Sequence, residues 1–238
     1  LLGQGGAANA NVFTRIMMAL FRQIPWKGMP CIPVEAILMP EWFPFHMSKI
    51  AYWSRTVLTP LLILYAKRAK AENPTGRDIR ELFVVPPEKQ RKWQINPTGS
   101  RIGEMFLLLD KALQRAEPFF PKGTRDRAIR KAEQFTIARL NGDDGLGAIY
   151  PAMANAVMAL RVLGYADDSP EMRTAREAIE KLMTERGEQL YFQPCLSPVW
   201  DTCLAAHAFL ETGAKDDPRL THALDWLERS QLSDDPSD

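Results

Sequence analysis

The chain has 238 residues, 46% of them hydrophobic and 25% charged, with a net charge of +1. That length allows one large domain or two small ones, and the near-neutral balance leaves no electrostatic case for nucleic acid as a partner. Three cysteines, Cys31, Cys195 and Cys203, form no CxxC pair; so sparse a set argues against a disulfide framework and favours a reducing compartment.

In chain order, Leu1–Ala10 is a glycine- and alanine-rich turn region. Phe13, Ile16, Met17, Leu20 and Phe21 recur at helical spacing, which predicts a helix over Asn11–Gln23. A proline-broken connection follows, then a short helix over Val34–Met39 that Pro40 ends. Met47–Ala69 reads as a long helix kinked near Pro60, with Ile50, Trp53, Val57, Leu61 and Leu64 on one broad face, so that spacing alone puts Trp53 in the core. The run Val57–Ala66 within it is broken by Thr59 and Pro60 and falls short of the ~20 residues a bilayer span needs. This excludes a spanning anchor but not a place on a membrane surface.

Asn73–Gln94 is polar and irregular, a surface connection lying across neighbouring elements. Ser100–Glu117 is an amphipathic helix with Ile102, Met105, Phe106, Leu109 and Leu113 on one side. Phe119 and Phe120, beside a basic segment, either close that helix against the core or touch a membrane. Further helices are predicted over Arg125–Leu140, from Pro151 to Leu163, over Glu171–Arg186, from the Ser197-Pro198 start to Thr212, and from Pro218 to near Gln231, with loops between and no strand of useful length. The opening in glycine-rich sequence and the polar Asp234–Asp238 close read as a section of a longer protein.

The last hundred residues contain a repeat. Pro151 and Pro198 start helices of similar length, and Asp-Asp-Ser-Pro at Pro170 returns as Asp-Asp-Pro at Pro218. Each unit is helix, turn, helix, loop, and such pairs bury their apolar faces by stacking on neighbours, as an open solenoid or a closed toroid. Met153 stands where the second copy has Trp200, and Ala154 where it has Asp201. The scaffold therefore does not demand the indole and the acid. Trp200 is either a core aromatic at a helix start or a functional wall, with Asp201 or Thr202 able to cap the helix.

Gly5-Gly6-Ala7-Ala8-Asn9, Gln23-Ile24-Pro25-Trp26, Pro33-Val34-Glu35, Trp42-Phe43-Pro44-Phe45-His46, Tyr52-Trp53-Ser54-Arg55 and Ser197-Pro198-Val199-Trp200-Asp201-Thr202 together resemble squalene–hopene cyclases, in order and in spacing. The resemblance implies an all-α, paired-helix toroid or barrel, here incomplete. Residues 1–99 would be an inner-domain segment and 100–238 paired-helix repeats leading toward the catalytic barrel. It implies a squalene-like hydrocarbon substrate, cyclised by a carbocation cascade to hopanoids, and a peripheral place on the bacterial cytoplasmic membrane. It also implies a homodimer for the full-length protein, and neither cofactor nor metal.

Carried over by motif, Trp200, Trp53 and Phe13 match cavity aromatics. Ile149, Tyr150 and Pro151 match a cavity-lining loop, with Tyr150 where some members have glutamine. Asp201 matches a supporting residue. Aromatic faces suit this chemistry because they stabilise a cation without trapping it, by ~0.5–2 kcal/mol each. Two departures stand out. Leu146 occupies an aromatic position of a repeat motif, and no Asp-x-Asp-Asp acid motif is present. The pairs Asp143-Asp144, Asp167-Asp168, Asp216-Asp217 and Asp234-Asp235 are explained as turn and capping residues. The isolated chain is therefore expected to lack the general acid. Two other readings stay open: a zinc-dependent prenyltransferase-like toroid, with Asp201, Cys203 and His207 as candidate ligands, and a non-catalytic helical scaffold.

Overall fold

A computed structural model describes residues 2–96, 98–142 and 144–231. Of the acids singled out above, Asp143, Asp234 and Asp235 lie outside the described residues. Two compact units divide between Lys181 and Leu182.

The first unit is helical. α1 (Val12–Leu20) starts at Asn11, whose side chain accepts from the Thr14 N–H. A 3-10 turn over Val34–Leu38 replaces the short helix expected there. α2 (Tyr52–Lys67) is preceded by a separate 3-10 turn over Met47–Lys49, so the long helix is shorter at its start than its apolar face suggested. Pro60 lies inside α2 and has no N–H for the Thr56 carbonyl one turn earlier. α3 (Arg101–Ala116) is capped by Ser100. α4 (Lys122–Arg139), α5 (Tyr150–Leu163) and α6 (Pro170–Glu180) follow.

α2 is the centre of this unit, packed against both α4 and α5. Ala152, Ala156 and Ala159 are buried on α5, and these small side chains let the two backbones approach. Asn155, also buried, donates to the Val57 carbonyl of α2 at 3.3 Å, beside the segment where Pro60 breaks the helical ladder. Leu146, where an aromatic brace was expected, is fully buried against Val57, Ala152 and Ala156, so an aliphatic side chain supplies the brace.

The connection over residues 73–96 is irregular apart from one 3-10 turn, Arg80–Leu82. It is fastened rather than loose. Trp93 is buried, and a Cβ on Gly28 would meet its ring at 3.1 Å. Arg15 of α1 donates to the carbonyls of Gly28 (3.1 Å) and Trp93 (2.6 Å) and to Gln94 Oε1 (3.1 Å). Burial pushes the Arg15 guanidinium below its ordinary pKa, with Asp110 pulling the other way.

Four segments meet at a second buried polar cluster. Glu117 holds Arg68 at 2.7 Å and Arg125 at 3.0 Å, and Arg125 also reaches Glu35 at 2.9 Å. Burial works against the Arg125 charge, but Glu35 and Glu117 raise its pKa overall. Tyr65, under the Arg68 guanidinium at 4.0 Å, is pushed up to about 12 chiefly by burial.

The second unit holds a hairpin and a helix pair. β1 (Met183–Arg186) and β2 (Gln189–Phe192) are antiparallel, with Arg186 opposite Gln189 across a two-residue turn. This corrects two expectations: α6 ends at Glu180 rather than Arg186, and the loop after it is a strand pair. Gly187, at φ +59°, provides the left-handed turn residue. Arg186 stacks over Tyr191 at 5.6 Å, a diagonal cross-strand pair. α7 (Pro198–Glu211) and α8 (Pro218–Arg229) then pack together, as α5 and α6 do in the first unit.

Prolines open all four of these helices, so the predicted repeat is present as two helix pairs and the chain is all-α and paired-helix in class. Asp217 caps α8 through the Arg219 N–H, and the Arg219 side chain holds its carboxyl down to about 2. Asp167 pairs with Arg176 at 2.7 Å. Cys31 is buried, Cys195 and Cys203 are exposed, and all three are free thiols.

Candidate functional site

Phe13, Tyr150 and Pro151 meet in one open, largely apolar cavity of about 430 Å³ in the first unit. α1 supplies Phe13 and Met17, α2 supplies Leu61, and α5 supplies Tyr150, Pro151, Asn155 and Met158. A smaller apolar cavity of about 90 Å³ shares Phe13 and Leu61 and reaches Trp26, whose ring meets Tyr65 edge-on at 5.7 Å. Phe13 thus stands between two apolar spaces. Motif comparison missed Asn155 and Met158, although they follow Pro151 at i+4 and i+7 on the same helix face and periodicity alone would have found them.

Ile149 is half-buried against the Val57, Leu146, Ala152 and Ala156 cluster just before α5 begins. A strained turn delivers it: Gly145, Gly147 and Ala148 take φ of +60°, +75° and +55°. Asn141 and Gly145 exchange backbone hydrogen bonds, and the Asn141 side chain accepts from the Asp144 N–H at 2.7 Å. A Cβ on Gly147 would stand 2.7 Å from Thr56 Oγ1, which is itself fixed by donating to the Trp53 carbonyl at 2.8 Å.

Opposite outcomes are therefore expected at neighbouring positions. Gly147→Ala should cost about 2–4 kcal/mol, from the left-handed φ and the clash together. Ala148→Gly should change stability by less than about 1 kcal/mol, because relief of φ offsets the added unfolded-state freedom. Urea unfolding of both variants tests this, and equal losses would contradict the strained-turn account.

Trp53, in the first turn of α2, is 61% exposed and does not line the cavity, so the core placement drawn from its spacing is corrected. Its helix face splits: Val57 and Leu64 are buried, but Tyr52 and Trp53 in the first turn of α2 are exposed. In the second unit Trp200 is 71% exposed on the first turn of α7, whereas its counterpart Met153 is 1% exposed. Trp200 is not a core aromatic. Asp201 does not cap α7. The helix begins at Pro198 after Ser197, and the Asp201 N–H already donates to the Ser197 carbonyl at 2.8 Å. The Asp201 carboxylate instead lies in the first turn, near the positive end of the helix dipole. His207 stands 3.8 Å from Glu211 on the exposed side of α7, and among the described residues no three of His, Cys, Asp and Glu converge as a metal-ligand set.

A broad apolar surface accompanies these sites. Every residue of α3 keeps some exposure, including Ile102, Met105, Phe106 and Leu109. Phe106 meets Phe45 at 6.3 Å, and Phe45 leads through Phe43 to Trp42 by edge-on contacts of 5.8 and 6.1 Å. Phe119 is 85% exposed, so it does not close α3 against the core. Among the described residues no helix is long and apolar enough to cross a membrane.

Fold and cavity together define an all-α, paired-helix protein whose helix junction opens an apolar space rimmed by aromatic side chains. Within that class, residues 1–188 match the squalene-hopene cyclase N-terminal domain, and the chain belongs to the squalene–hopene cyclase family. It is 49% identical to a squalene–hopene cyclase of Zymomonas mobilis over 98% of this chain and 36% of that protein. Identity is 46% to one of Bradyrhizobium diazoefficiens, over 94% of this chain and 34% of that one. For one of Schizosaccharomyces japonicus it is 42%, over 98% and 37%. The chain thus spans about a third of the length of the curated relatives it matches.

Proposed function

We propose that the chain forms part of the substrate-folding wall of a triterpene cyclase acting on squalene or a similar hydrocarbon, with hopanoids as products. One observation carries the reading: Phe13, Tyr150 and Pro151, far apart in sequence, line a single apolar cavity. A hydrocarbon offers nothing to hydrogen-bond, so apolar shape has to hold it. Exposed aromatic faces at Trp53 and Trp200 then serve the migrating cation, with Ile149 setting the loop and Asp201 supporting the start of α7. No Asp-x-Asp-Asp segment occurs in the 238 residues, and the acids Asp167 and Asp217 are held in an ion pair and a helix cap. The chain alone would then bind hydrocarbon without protonating it. The remaining two-thirds of a full-length relative would supply the acid and cover the apolar faces of α7 and α8, with residues 1–99 and 100–238 as the segments of the arrangement.

The α3 stripe with Phe45, Trp42 and Phe119 suits contact with a membrane surface, from which a peripheral enzyme would take its substrate. A homodimer belongs to the same reading of the full-length protein.

The test exchanges this chain for the corresponding segment of a full-length relative. The chimera should convert squalene to hopene, detected by gas chromatography with mass spectrometry, while the isolated chain should not. Trp200→Ala and Trp53→Ala in the chimera should each lower kcat about 2- to 30-fold, the range of one aromatic–cation contact. Hopene from the isolated chain, or undiminished turnover in both variants, would overturn the reading.

A further inference from the structure

Away from the apolar cavity, the first unit contains an open pocket of about 540 Å³, mixed in lining, where the ends of α1 and α2 meet the connection that follows. Arg22, Lys27, Arg68, Lys70 and Arg80 line it, against two acids, Asp78 and Glu88. Both acids are committed to Arg80, Asp78 at 3.6 Å and Glu88 in close contact. Arg68 is tied to Glu117 through one nitrogen, and its other terminal nitrogen is enclosed without a hydrogen-bond partner. Among the described residues, Arg22, Lys27 and Lys70 have no ion-pair or hydrogen-bond partner for their charged groups. The walls are fastened. Gln23 accepts from the Ile79 N–H at 3.1 Å, and the Trp26 indole donates to the Ala69 carbonyl at 3.2 Å.

Backbone strain adds a second observation. Among the described residues, three non-glycine positions have positive φ, and two of them, Arg22 at +59° and Arg68 at +48°, line this pocket. Each stands where a helix ends in a left-handed residue, the position glycine usually fills. Arg68 is held there by Glu117 and by the Tyr65 ring. Arg22 gains no such contact. A cation just beyond a helix C-terminus also offsets the dipole, and the last turn of α1 has no basic residue of its own, so Arg22 serves that end of the helix as well. Arg22 thus combines a left-handed φ with an exposed, unpartnered charge, and it shares the pocket with Lys27 and Lys70, which are exposed and unpartnered too.

We propose that this pocket is an anion site for a phosphate-class ligand, gripped by Arg22, Lys27 and Lys70 beside Arg68. Arginine's planar fork suits phosphoryl oxygens, and the lysines add point charge. The ligand is either a free phosphoryl compound or the headgroup of an anionic lipid. The site is independent of the cyclase reading and stands or falls separately from it.

Arg22→Gly separates binding from folding, because it removes the charge while relieving the left-handed φ. The 238-residue chain is titrated with inorganic phosphate at constant ionic strength in chloride, following the Trp26 indole N–H resonance. A saturating shift is expected. It should weaken about tenfold in Arg22→Gly and again in Lys70→Gln, as for loss of one charge-assisted contact each. The thermal midpoint of Arg22→Gly should hold or rise. A second arm adds vesicles of phosphatidylglycerol or of phosphatidylcholine. Phosphatidylglycerol binding that weakens in Arg22→Gly assigns the site to a headgroup, and a response to phosphate alone assigns it to a soluble phosphoryl ligand. A non-saturating response, or affinity unchanged in both variants, overturns the proposal.

Discussion

Glu117→Ala is expected to destabilise the chain by about 3 kcal/mol, one of the largest losses available to a single substitution in it. Glu117 is buried, and its two carboxylate oxygens face Arg68 and Arg125 separately. Its removal leaves two guanidinium groups with Glu35 as their remaining acid. Uncompensated buried charge costs ~3–5 kcal/mol, and the lower end applies because the Arg68 side chain keeps 37% exposure and solvent screens it in part. The midpoint of thermal unfolding should fall by about 6–12 °C for a chain of this size. Glu117→Gln, which keeps the shape, should recover part of the loss. A loss under about 1 kcal/mol for the alanine variant would mean that water already screens the cluster. The stakes are topological, since Glu35 and Arg68 are tied across the fold to Glu117 and Arg125, which lie eight residues apart.

Arg15→Met is the second large effect, expected at about 3–4 kcal/mol. The methionine fills the aliphatic part of the space but leaves the Gly28 and Trp93 carbonyls and the Gln94 amide oxygen without this donor. Each abandoned buried acceptor costs ~1–3 kcal/mol, and Gln94, which also donates to Gly28 at 3.0 Å, limits the total. Arg15→Lys should lose about half as much, since one ammonium cannot span all three acceptors. Amide hydrogen exchange gives a readout that global stability does not: protection should fall first near Trp93, where the connection is strapped to α1. Uniform loss of protection across α2 and α5 would contradict the strap. Because α1 carries Phe13 and Met17 into the apolar cavity, loosening the strap should, on the proposed function, also lower turnover of a chimera that contains this chain.

Much of this was legible in the sequence where the signal was periodic. The repeat of Pro151 with Pro198 and of Pro170 with Pro218 located two helix pairs, because proline in the first helical turn leaves a local mark. The β-hairpin was not legible. Its Gly187 turn sits inside a stretch whose charges continue a helical pattern, and strand pairing is decided by a partner several residues away. The amphipathic pattern of α3 identified the helix but not its setting, since an apolar stripe reads the same whether protein or something else covers it. Trp53 failed for a related reason: helical spacing names a face, while burial depends on how far the neighbouring helices extend. In the site, Phe13, Tyr150 and Pro151 came from motif resemblance, and the helix-mates of Pro151 were available by counting. The buried arginines were not foreseeable, because most of their partners, such as Trp93 for Arg15 and Glu35 for Arg125, lie tens of residues away.

The two helix pairs also differ in what they tolerate. At the same place in each copy, Met153 is enclosed and Trp200 lies largely in the open. Enlarging residue 153 would strain the first pair, while almost any side chain at 200 leaves the second pair folded. The residue thus answers to the scaffold in one helix pair and is released from it in the other. Mutational scans read out by stability should diverge at the two positions, with 153 sensitive and 200 tolerant. On the proposed function, the residue at 200 could then change without compensating change in the helices around it.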